Sequence, residues 1–245
     1  MPALSETLLQ PKYLGWLFDG WMMTLWAAFL VVALSTVLGF LLAAMRSSAA
    51  GPWRSAGSLY VSIFRNIPLL VQLFFWYFGA PRLLPAELRA WIFNNAEISI
   101  GWLSIPWPSF EFLSAITGMV FYSTAYVGEE IRAGIQGVPK GQYAAAAALG
   151  FAPSGAMRWV VLPQALRLAL PSLVGQYMNI LKNTSLAMAI GMTELSYAAR
   201  QVEAETFRTF QAFGVATLLY VLSIAVLEVA GKRLHRRYML AYGQR

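Results

Sequence analysis

The chain contains no cysteine and one histidine, His235, among its 245 residues. Without cysteine, neither a disulfide framework nor a thiolate metal site can form, and one histidine in a basic tail does not make a metal site. A glycine-rich phosphate loop ending in Lys-Ser or Lys-Thr is also missing. We therefore expect no metal and no cofactor in this chain, and no ATP binding or hydrolysis by it.

Charged residues are scarce as well. They make up 12% of the chain and hydrophobic residues 58%, whereas soluble domains carry roughly 25% charged residues. This balance indicates an integral membrane protein. The net charge of +7 does not indicate nucleic-acid binding, because that needs a basic face on a solvated domain and these Lys and Arg residues lie between apolar segments. We expect membrane lipid around the chain and no nucleic-acid partner.

Five stretches are long and apolar enough to cross a bilayer, which takes about 20 residues. In the second stretch, polar residues and Pro68 interrupt the early part, so the lipid-embedded portion is expected to be IPLLVQLFFWYFGA. A hairpin-like segment rich in Trp and Pro joins the second and third spans and is expected to cover the outer face. With no internal repeat, residues 1–245 are expected to form a single all-α transmembrane domain. The predicted spans are 21–45, 58–80, 112–131, 168–191 and 210–230.

Lys and Arg residues are unevenly divided between the two sides of the membrane. Twelve fall on the side that holds the loop between the third and fourth spans, and five fall on the other. Because cytoplasmic loops carry the excess of Lys and Arg, we expect the amino terminus outside and the carboxyl terminus inside. The first residues lack the basic region and small-residue cleavage site of a signal peptide, so no cleaved signal is expected.

The loop between the third and fourth spans, residues 137–163, is named the interhelix loop. Its stretch GQYAAAAALGFAPSGAMRWVVLP begins with a helix-prone alanine run, breaks at Gly150 and Pro153, and closes on Pro163. It is too polar at its ends and too broken to span a bilayer. The pattern predicts two short cytoplasmic helices that a cytoplasmic partner protein can push. These helices have no catalytic chemistry of their own.

The spacing in this loop resembles the EAA loop of ABC importer permeases, whose pattern is Glu-Ala-Ala, three residues, Gly, nine residues, then Ile-x-Leu-Pro. Val160 replaces the isoleucine conservatively, and Ala144 stands where the family usually has Glu. The resemblance implies that the loop couples transport to cytoplasmic ATPases. Because this chain lacks that carboxylate, we predict a heterodimer whose other permease retains it. In this chain, docking of the ATPase is expected to depend on shape and on apolar contacts from Ala145, Ala146, Leu149, Phe151 and Val160. The coupling residues it implies are Gly141, Ala144, Ala145, Ala146, Gly150, Leu162 and Pro163.

Other stretches resemble the polar amino acid permeases of ABC importers, with most likeness to glutamate/aspartate importers. They are LYVSIFRNIPLLVQLFFWYFGAP, GEEIRAGIQGVPKGQ and LPQALRLALPSLVGQYMNILKNTSLAMAIGMTELSYAARQ. The resemblance implies a type I ABC importer fold in the bacterial inner membrane and a second permease, as a paralogous heterodimer or a homodimer. It also implies two ATP-binding subunits that carry ATP and Mg²⁺, and a periplasmic amino-acid-binding protein. Glutamine and basic amino acids remain alternative substrates.

The fourth span carries polar residues inside apolar sequence. An ionisable group at depth costs about 3 kcal/mol on insertion scales and by default indicates a transport pathway. Lys182 could equally snorkel, and its neighbours could join helices through hydrogen bonds. Glu129 and Arg132 at the end of the third span are expected to form either an ion pair or a gate. The candidate pathway residues are Lys182, Asn179, Asn183, Thr184 and Ser185.

Two other classes of protein fit the composition. An intramembrane enzyme would need paired carboxylates, histidine or a cationic phosphate cluster at one depth, and the chain has only isolated charges at span ends and Lys182. An ion-coupled secondary transporter usually shows inverted repeats and broken helices in matching halves, and five spans do not divide evenly. Both classes rank behind the importer permease.

Overall fold

The structure is a computed structural model, and it describes residues 9–48, 50–94, 97–100, 103–106 and 108–240. Two helices in this described part are long and apolar enough to cross a membrane by length and composition: α1 (Pro11–Ser47) and the last helix, Thr209–Leu240, over its portion Thr209–Arg237. They contain the first and fifth predicted spans.

The second predicted span is divided into two helices. α2 (Gly51–Asn66) ends before Pro68, and α3 (Leu69–Phe74) continues as a π-helical turn to Gly79 and a 3₁₀ turn to Leu83. Proline lacks an N–H and disfavours helical backbone in the residue before it, so the helix is interrupted at Ile67 and Pro68. Together α2 and the helix after it would count as a third apolar span. The portion expected in lipid, IPLLVQLFFWYFGA, coincides with the second member of the pair.

A short helix and one hairpin follow. α4 covers Ala86–Asn94, and β1 (Glu97–Ile100) pairs antiparallel with β2 (Leu103–Pro106), with Glu97 opposite Pro106. The hairpin-like segment expected here is therefore a true two-stranded hairpin within an otherwise helical fold.

The third and fourth predicted spans lie in α5 (Phe110–Gly137) and α8 (Leu162–Asn183), and α8 extends as a 3₁₀ helix to Ile190. Neither is apolar enough to qualify as a span by composition alone, because each carries the polar residues noted in the sequence. Between them lie α6 (Lys140–Ala148) and α7 (Pro153–Ala156), and a π-helical turn, Met157–Val161, leads into α8. The remaining helices are α9 (Leu195–Thr206) and α10 (Thr209–Leu240).

The chain forms two compact units, each built from three segments. The first unit takes in Met1–Val31, Ile67–Tyr122 and Leu181–Val221, and the second takes in Val32–Asn66, Ser123–Ile180 and Leu222–Arg245. Organisation as a single domain remains a prediction. The core of the first unit includes Leu17, Leu195, Ala199, Val202 and Ala212. The core of the second unit includes Ala43, Val127, Ile131, Ala169 and Leu173.

In the second unit, α5 and α8 approach closely where the interhelix loop joins them. A Cβ atom added to Gly134 would lie 2.5 Å from the carbonyl oxygen of Ala165 and 2.8 Å from the Cβ of Ala169. Glycine and alanine thus let the two backbones meet, as small residues do at helix interfaces in membranes. This contact fixes the two ends of the loop against each other.

Candidate functional site

The two short helices expected in the interhelix loop are present as α6 and α7. At the break between them, the N–H of Gly150 donates to the carbonyl of Ala147 at 3.0 Å, and the N–H of Phe151 donates to the carbonyl of Ala146 at 3.1 Å. These two bonds form a Schellman motif, whose glycine position needs left-handed backbone. Gly150 has φ +82°, so a side chain at this position would strain the turn.

One face of α6 packs against other elements of the second unit, to which this helix belongs. Ala146 is 2% exposed. A buried cluster lies under the loop and contains Val138, Val161 and Ala165, with Tyr143 and Met157 packed against it. Ala146 therefore belongs to the packing of the loop, and its role in docking a partner stays a prediction.

A polar bridge joins α6 to the start of α8. The side-chain amide of Gln164 donates to the side-chain oxygen of Gln142 at 3.1 Å and to the carbonyl of Val160 at 2.9 Å. The second bond runs from α8 back to Val160 in the π-helical turn. Together with the buried cluster, this bridge makes the loop one packed piece with the first turn of α8.

The loop also exposes large apolar side chains. Leu149 is 78% exposed, Trp159 is 65% exposed, and Phe151 is also exposed. Ala144 and Ala145 are exposed on α6, and Val160 is half-buried. Exposed apolar groups gathered on one loop are typical of a surface that a partner covers. The sequence interpretation did not include Trp159 among the docking residues. A tryptophan in a loop outside the membrane spans could have indicated it.

The remaining residues of the coupling pattern occupy different surroundings. Gly141 is exposed, and a Cβ atom added there would meet nothing within 4 Å. Leu162 and Pro163 are half-buried at the start of α8. A role for these residues in coupling stays a prediction.

The end of α5 carries an ion-pair network. Arg132 donates two hydrogen bonds to the carboxylate of Glu129, both at 3.0 Å, and Arg46 of α1 lies 3.2 Å from the same carboxylate. The expected pair of Glu129 and Arg132 is present, and Arg46 is a third member that the sequence did not indicate. Nearby, the amide of Gln176 donates to Glu130 at 3.4 Å.

The candidate pathway residues do not converge on one point. Lys182 and Asn179 are exposed on α8, and Asn183 is half-buried. The hydroxyl of Thr184 donates to the carbonyl of Leu181 at 2.8 Å, and that of Ser185 donates to the carbonyl of Lys182 at 2.7 Å. Among the described residues, Lys182 forms no ion pair. Of these five residues, Lys182 and Asn179 are the exposed ones.

Glu194 is a buried carboxylate that the sequence did not single out. It accepts hydrogen bonds from the hydroxyl of Tyr220 at 2.6 Å, from the hydroxyl of Thr24 at 3.4 Å and from the N–H of Tyr197 at 2.9 Å, the last as the amino-terminal cap of α9. Burial raises the pKa of Glu194, and the hydrogen bonds it accepts offset part of that rise. All four residues lie in the first unit.

Metal-binding chemistry is not evident in the parts of the chain that the structure describes. Over these residues, no three histidine or acidic side chains come together to hold an ion. The candidate functional surfaces are the exposed apolar side chains of the interhelix loop and the exposed polar side chains of α8.

The interhelix loop is thus a packed pair of short helices between α5 and α8. The chain belongs to the family of binding-protein-dependent transport system inner membrane components, whose profile matches residues 35–239. This membership confirms the resemblance found in the sequence, and it makes the chain a translocating subunit rather than an enzyme.

Two bacterial relatives illustrate the similarity. The chain is 31% identical over 229 residues to the glutamate/aspartate import permease protein GltJ of Escherichia coli K12, covering 93% of this chain and 89% of the relative. It is 33% identical over 224 residues to the probable glutamine ABC transporter permease protein GlnM of Bacillus subtilis, covering 91% and 94%.

Solved structures share the fold. A chain of an amino acid ABC transporter crystallised with histidines superimposes with a TM-score of 0.77 at 30% identity, covering 92% of this chain and 95% of that one. A chain of the MetNI methionine ABC transporter in an inward-facing conformation gives a TM-score of 0.73 at 20% identity, covering 94% and 99%. The expected type I importer permease fold is thereby confirmed.

Proposed function

We propose that this chain is the permease subunit of an ATP-driven importer for polar amino acids, with glutamate and aspartate as its substrates. The similarity to the glutamate/aspartate permease supports this substrate. Relatives named for glutamine and for arginine are 33% and 28% identical, so import of glutamine or of basic amino acids is the alternative. The observation that carries the importer function is the exposed apolar face of the interhelix loop in a chain of this family.

In this proposal, two cytoplasmic ATP-binding subunits dock on the two permeases, one of them on the interhelix loop of this chain. They hold ATP and Mg²⁺, and this chain contributes no cofactor ligand. Because the loop is packed on α8 and joined to α5, a push on Leu149, Phe151 and Trp159 is transmitted to both helices. A periplasmic binding protein delivers the amino acid, and a second permease, paralogous or identical, completes the pathway.

Lys182 and Asn179 are proposed to face that pathway. They lie three residues apart on α8 and are both exposed. A lysine against hydrocarbon would be costly, so its exposed position favours a water-filled path or the neighbouring permease. A cation there offsets the desolvation of a substrate carboxylate. The hydroxyls of Thr184 and Ser185, which are bonded to the helix backbone, are proposed to shape the helix end instead.

The membrane arrangement follows from the distribution of basic residues. We place the chain in the bacterial inner membrane with its amino terminus outside and its carboxyl terminus inside. This orientation puts the interhelix loop in the cytoplasm, where ATP-binding subunits are found.

Uptake by reconstituted vesicles tests the function. The chain is incorporated with its second permease and ATP-binding subunits, and the binding protein is added outside. Radiolabelled aspartate should accumulate only with ATP inside and binding protein outside, and unlabelled glutamate should compete more strongly than glutamine or arginine. Stronger competition by glutamine or arginine would shift the substrate to that amino acid. Uptake by this chain alone, or uptake driven by an ion gradient, would contradict the importer.

A further inference from the structure

The surface of α2 is divided lengthwise into three sides. Each side repeats every three or four residues, which is the spacing of one helix face. On the packed side, Gly57 and Val61 are buried, and Tyr60 and Phe64 are half-buried. The apolar strip consists of exposed Pro52, Trp53, Ala56, Leu59 and Ile63. The polar strip consists of exposed Arg54, Ser55, Ser62, Arg65 and Asn66. The helix thus offers one side to the protein, one to an apolar medium and one to water.

The beginning of α2 is fixed to the end of the apolar helix α1. The guanidinium of Arg54 donates two hydrogen bonds to the carbonyl of Ser48, at 3.1 Å and 2.9 Å, and α1 ends one residue before Ser48. Next to Arg54, Trp53 is 61% exposed at the start of the apolar strip. Tryptophan is enriched where a membrane meets water. The start of α2 therefore has the features of a membrane surface.

The packed side of α2 contacts other elements of the second unit at the ion-pair network. A Cβ atom added to Gly57 would lie 2.8 Å from the Cγ atom of Arg46, and Arg46 pairs with Glu129 of α5. One turn further along α2, the side chain of Tyr60 interacts with that of Thr124, which is also on α5. Residues 57 and 60 of α2 therefore lie near residues 129 and 124 of α5.

The end of α2 shows that this helix crosses α5 and does not run beside it. The guanidinium of Arg65 lies 4.9 Å from the ring centre of Tyr126. From residue 57 to residue 65, α2 extends about 12 Å at about 1.5 Å per residue. Over that length its contacts stay between residues 124 and 129 of α5, a rise of about 7.5 Å, and they follow no order along α5. A helix running beside α5 would meet it at steadily advancing positions.

The level of this crossing matches the depth of a helix that lies in a membrane surface. The third predicted span, which α5 contains, ends at residue 131. Residue 124 lies about 10 Å before that end at about 1.5 Å per residue. Amphipathic helices at a membrane surface bury their apolar face about 5–10 Å below the headgroups. The contacts of α2 on α5 therefore fall within the depth that such a helix occupies.

We propose that α2 is an interfacial helix that lies in the plane of the membrane surface. Its apolar strip contacts acyl chains below the headgroups, and its polar strip contacts water and headgroups. Arg54 and Arg65 lie near the two ends of the polar strip, where they attract anionic headgroups. The second predicted span then begins after Pro68, and α2 holds Gly57 against Arg46 of the ion-pair network. The proposal requires only that the chain lies in a membrane and does not depend on which amino acid is transported.

Depth measurements on spin-labelled variants test the position of α2. Because the chain contains no cysteine, one cysteine can be introduced at a time and labelled with a nitroxide. The full complex, with partner subunits that lack cysteine, is reconstituted in vesicles of phosphatidylethanolamine and phosphatidylglycerol. Collisions of the label with oxygen, which dissolves in lipid, and with a water-soluble nickel chelate give its depth. The variants are Ala56→Cys, Leu59→Cys and Ile63→Cys on the apolar strip, and Ser55→Cys and Ser62→Cys on the polar strip.

Labels at Ala56→Cys and Ile63→Cys should lie at equal depth, to within about 3 Å, and should collide mainly with oxygen. The matched control is the pair Leu34→Cys and Leu41→Cys, whose residues are exposed and equally far apart on the spanning helix α1. Their depths should differ by about 10 Å. Ser62→Cys should collide with the nickel chelate at least threefold more often than its sequence neighbour Ile63→Cys.

Two results would overturn the proposal. A steady change of depth along α2, as large as that on α1, would mean that α2 crosses the membrane, even if its polar strip lines a water-filled path. Shielding of the apolar strip from both reagents would mean that another protein subunit covers it in place of lipid.

Discussion

The side-chain amide of Gln164 donates to the side-chain oxygen of Gln142 at 3.1 Å and thereby ties the first helix of the interhelix loop to the first turn of α8. Both residues belong to the same compact unit. The pair is a direct polar link between the proposed docking helix and a helix of the proposed transport pathway. In the proposed mechanism, a movement of α6 is passed to α8 through this pair and through the apolar cluster beneath it.

Removing this link should weaken coupling more than stability. A hydrogen bond of this kind contributes about 1 kcal/mol net, and Gln142 is exposed. Gln142→Met keeps the length of the side chain but offers no carbonyl oxygen, so we expect a two- to threefold lower ratio of uptake to ATP hydrolysis. Gln142→Glu keeps an acceptor for the amide of Gln164 and should retain the ratio. Equal ratios in both variants would show that the link does not transmit movement.

Restoring the family's carboxylate should be tolerated. Ala144 is exposed on α6, so Ala144→Glu fits without disturbing the packed face. Because charge-assisted contacts are stronger than neutral ones, we expect uptake from unchanged to about twofold higher. Ala144→Gln, which has the same shape without charge, is the control. A severe loss of uptake with Glu alone would mean that the ATPase surface facing this subunit does not accept a carboxylate.

Lys182→Met should lower uptake about tenfold while assembly with the ATP-binding subunits is retained. The expectation rests on the exposed position of this lysine on a membrane helix. Lys182→Arg keeps the charge and should retain more activity. Lys232→Met provides a control, because Lys232 pairs with Glu228 at an exposed site. Wild-type uptake by Lys182→Met would refute a pathway role.

The buried carboxylate of Glu194 should make stability depend on pH. Its pKa is raised above the usual 4.5 by burial, so the folded state holds its proton more tightly than the unfolded state does. Its stabilising effect is complete below pH 4.5 and is lost as the pH rises through the folded pKa. Glu194→Gln removes this titration, and its Tm minus that of the wild type should therefore increase from pH 4.5 towards neutrality.

Gln201→Ala is the control for that series, because Gln201 is exposed on α9 and carries no titratable group. Its Tm difference from the wild type should stay flat over the same range. A flat difference for Glu194→Gln as well would show that the Glu194 carboxyl group has the same pKa in the folded and unfolded states.

The interhelix loop was predictable because its signals are local. Alanine propensity, Gly150 and Pro153 lie within one stretch, and the Schellman turn needs only its own backbone. By contrast, Ala145 and Ala146 have the same side chain, and which of them is buried depends on the surface beneath α6. The alanine run alone therefore does not show which alanine is buried, because that depends on the elements packed against α6.

Contacts between distant segments were not predictable for the same reason. Glu194 and Thr24 are hydrogen-bonded although they are 170 residues apart in the sequence. The residues next to each of them in the sequence give no sign of this contact. Arg46 joins Glu129 and Arg132 from the end of a different helix. The local pattern showed the pair at spacing i, i+3, whereas the third member depends on how α1 packs on α5.

The central claim is that the interhelix loop couples ATP hydrolysis to transport, and the position that tests it most directly is Gly150. Asn and Asp both tolerate left-handed backbone and differ mainly in charge, and an added Cβ would meet nothing in this chain within 4 Å. Uptake per ATP hydrolysed is measured in vesicles for the wild type, Gly150→Asn and Gly150→Asp at equal complex assembly. We predict a moderate loss with Asn, which adds bulk to the docking surface, and a loss of at least tenfold with Asp, which adds a charge to the same bulk. Normal coupled uptake by Gly150→Asp would contradict the claim.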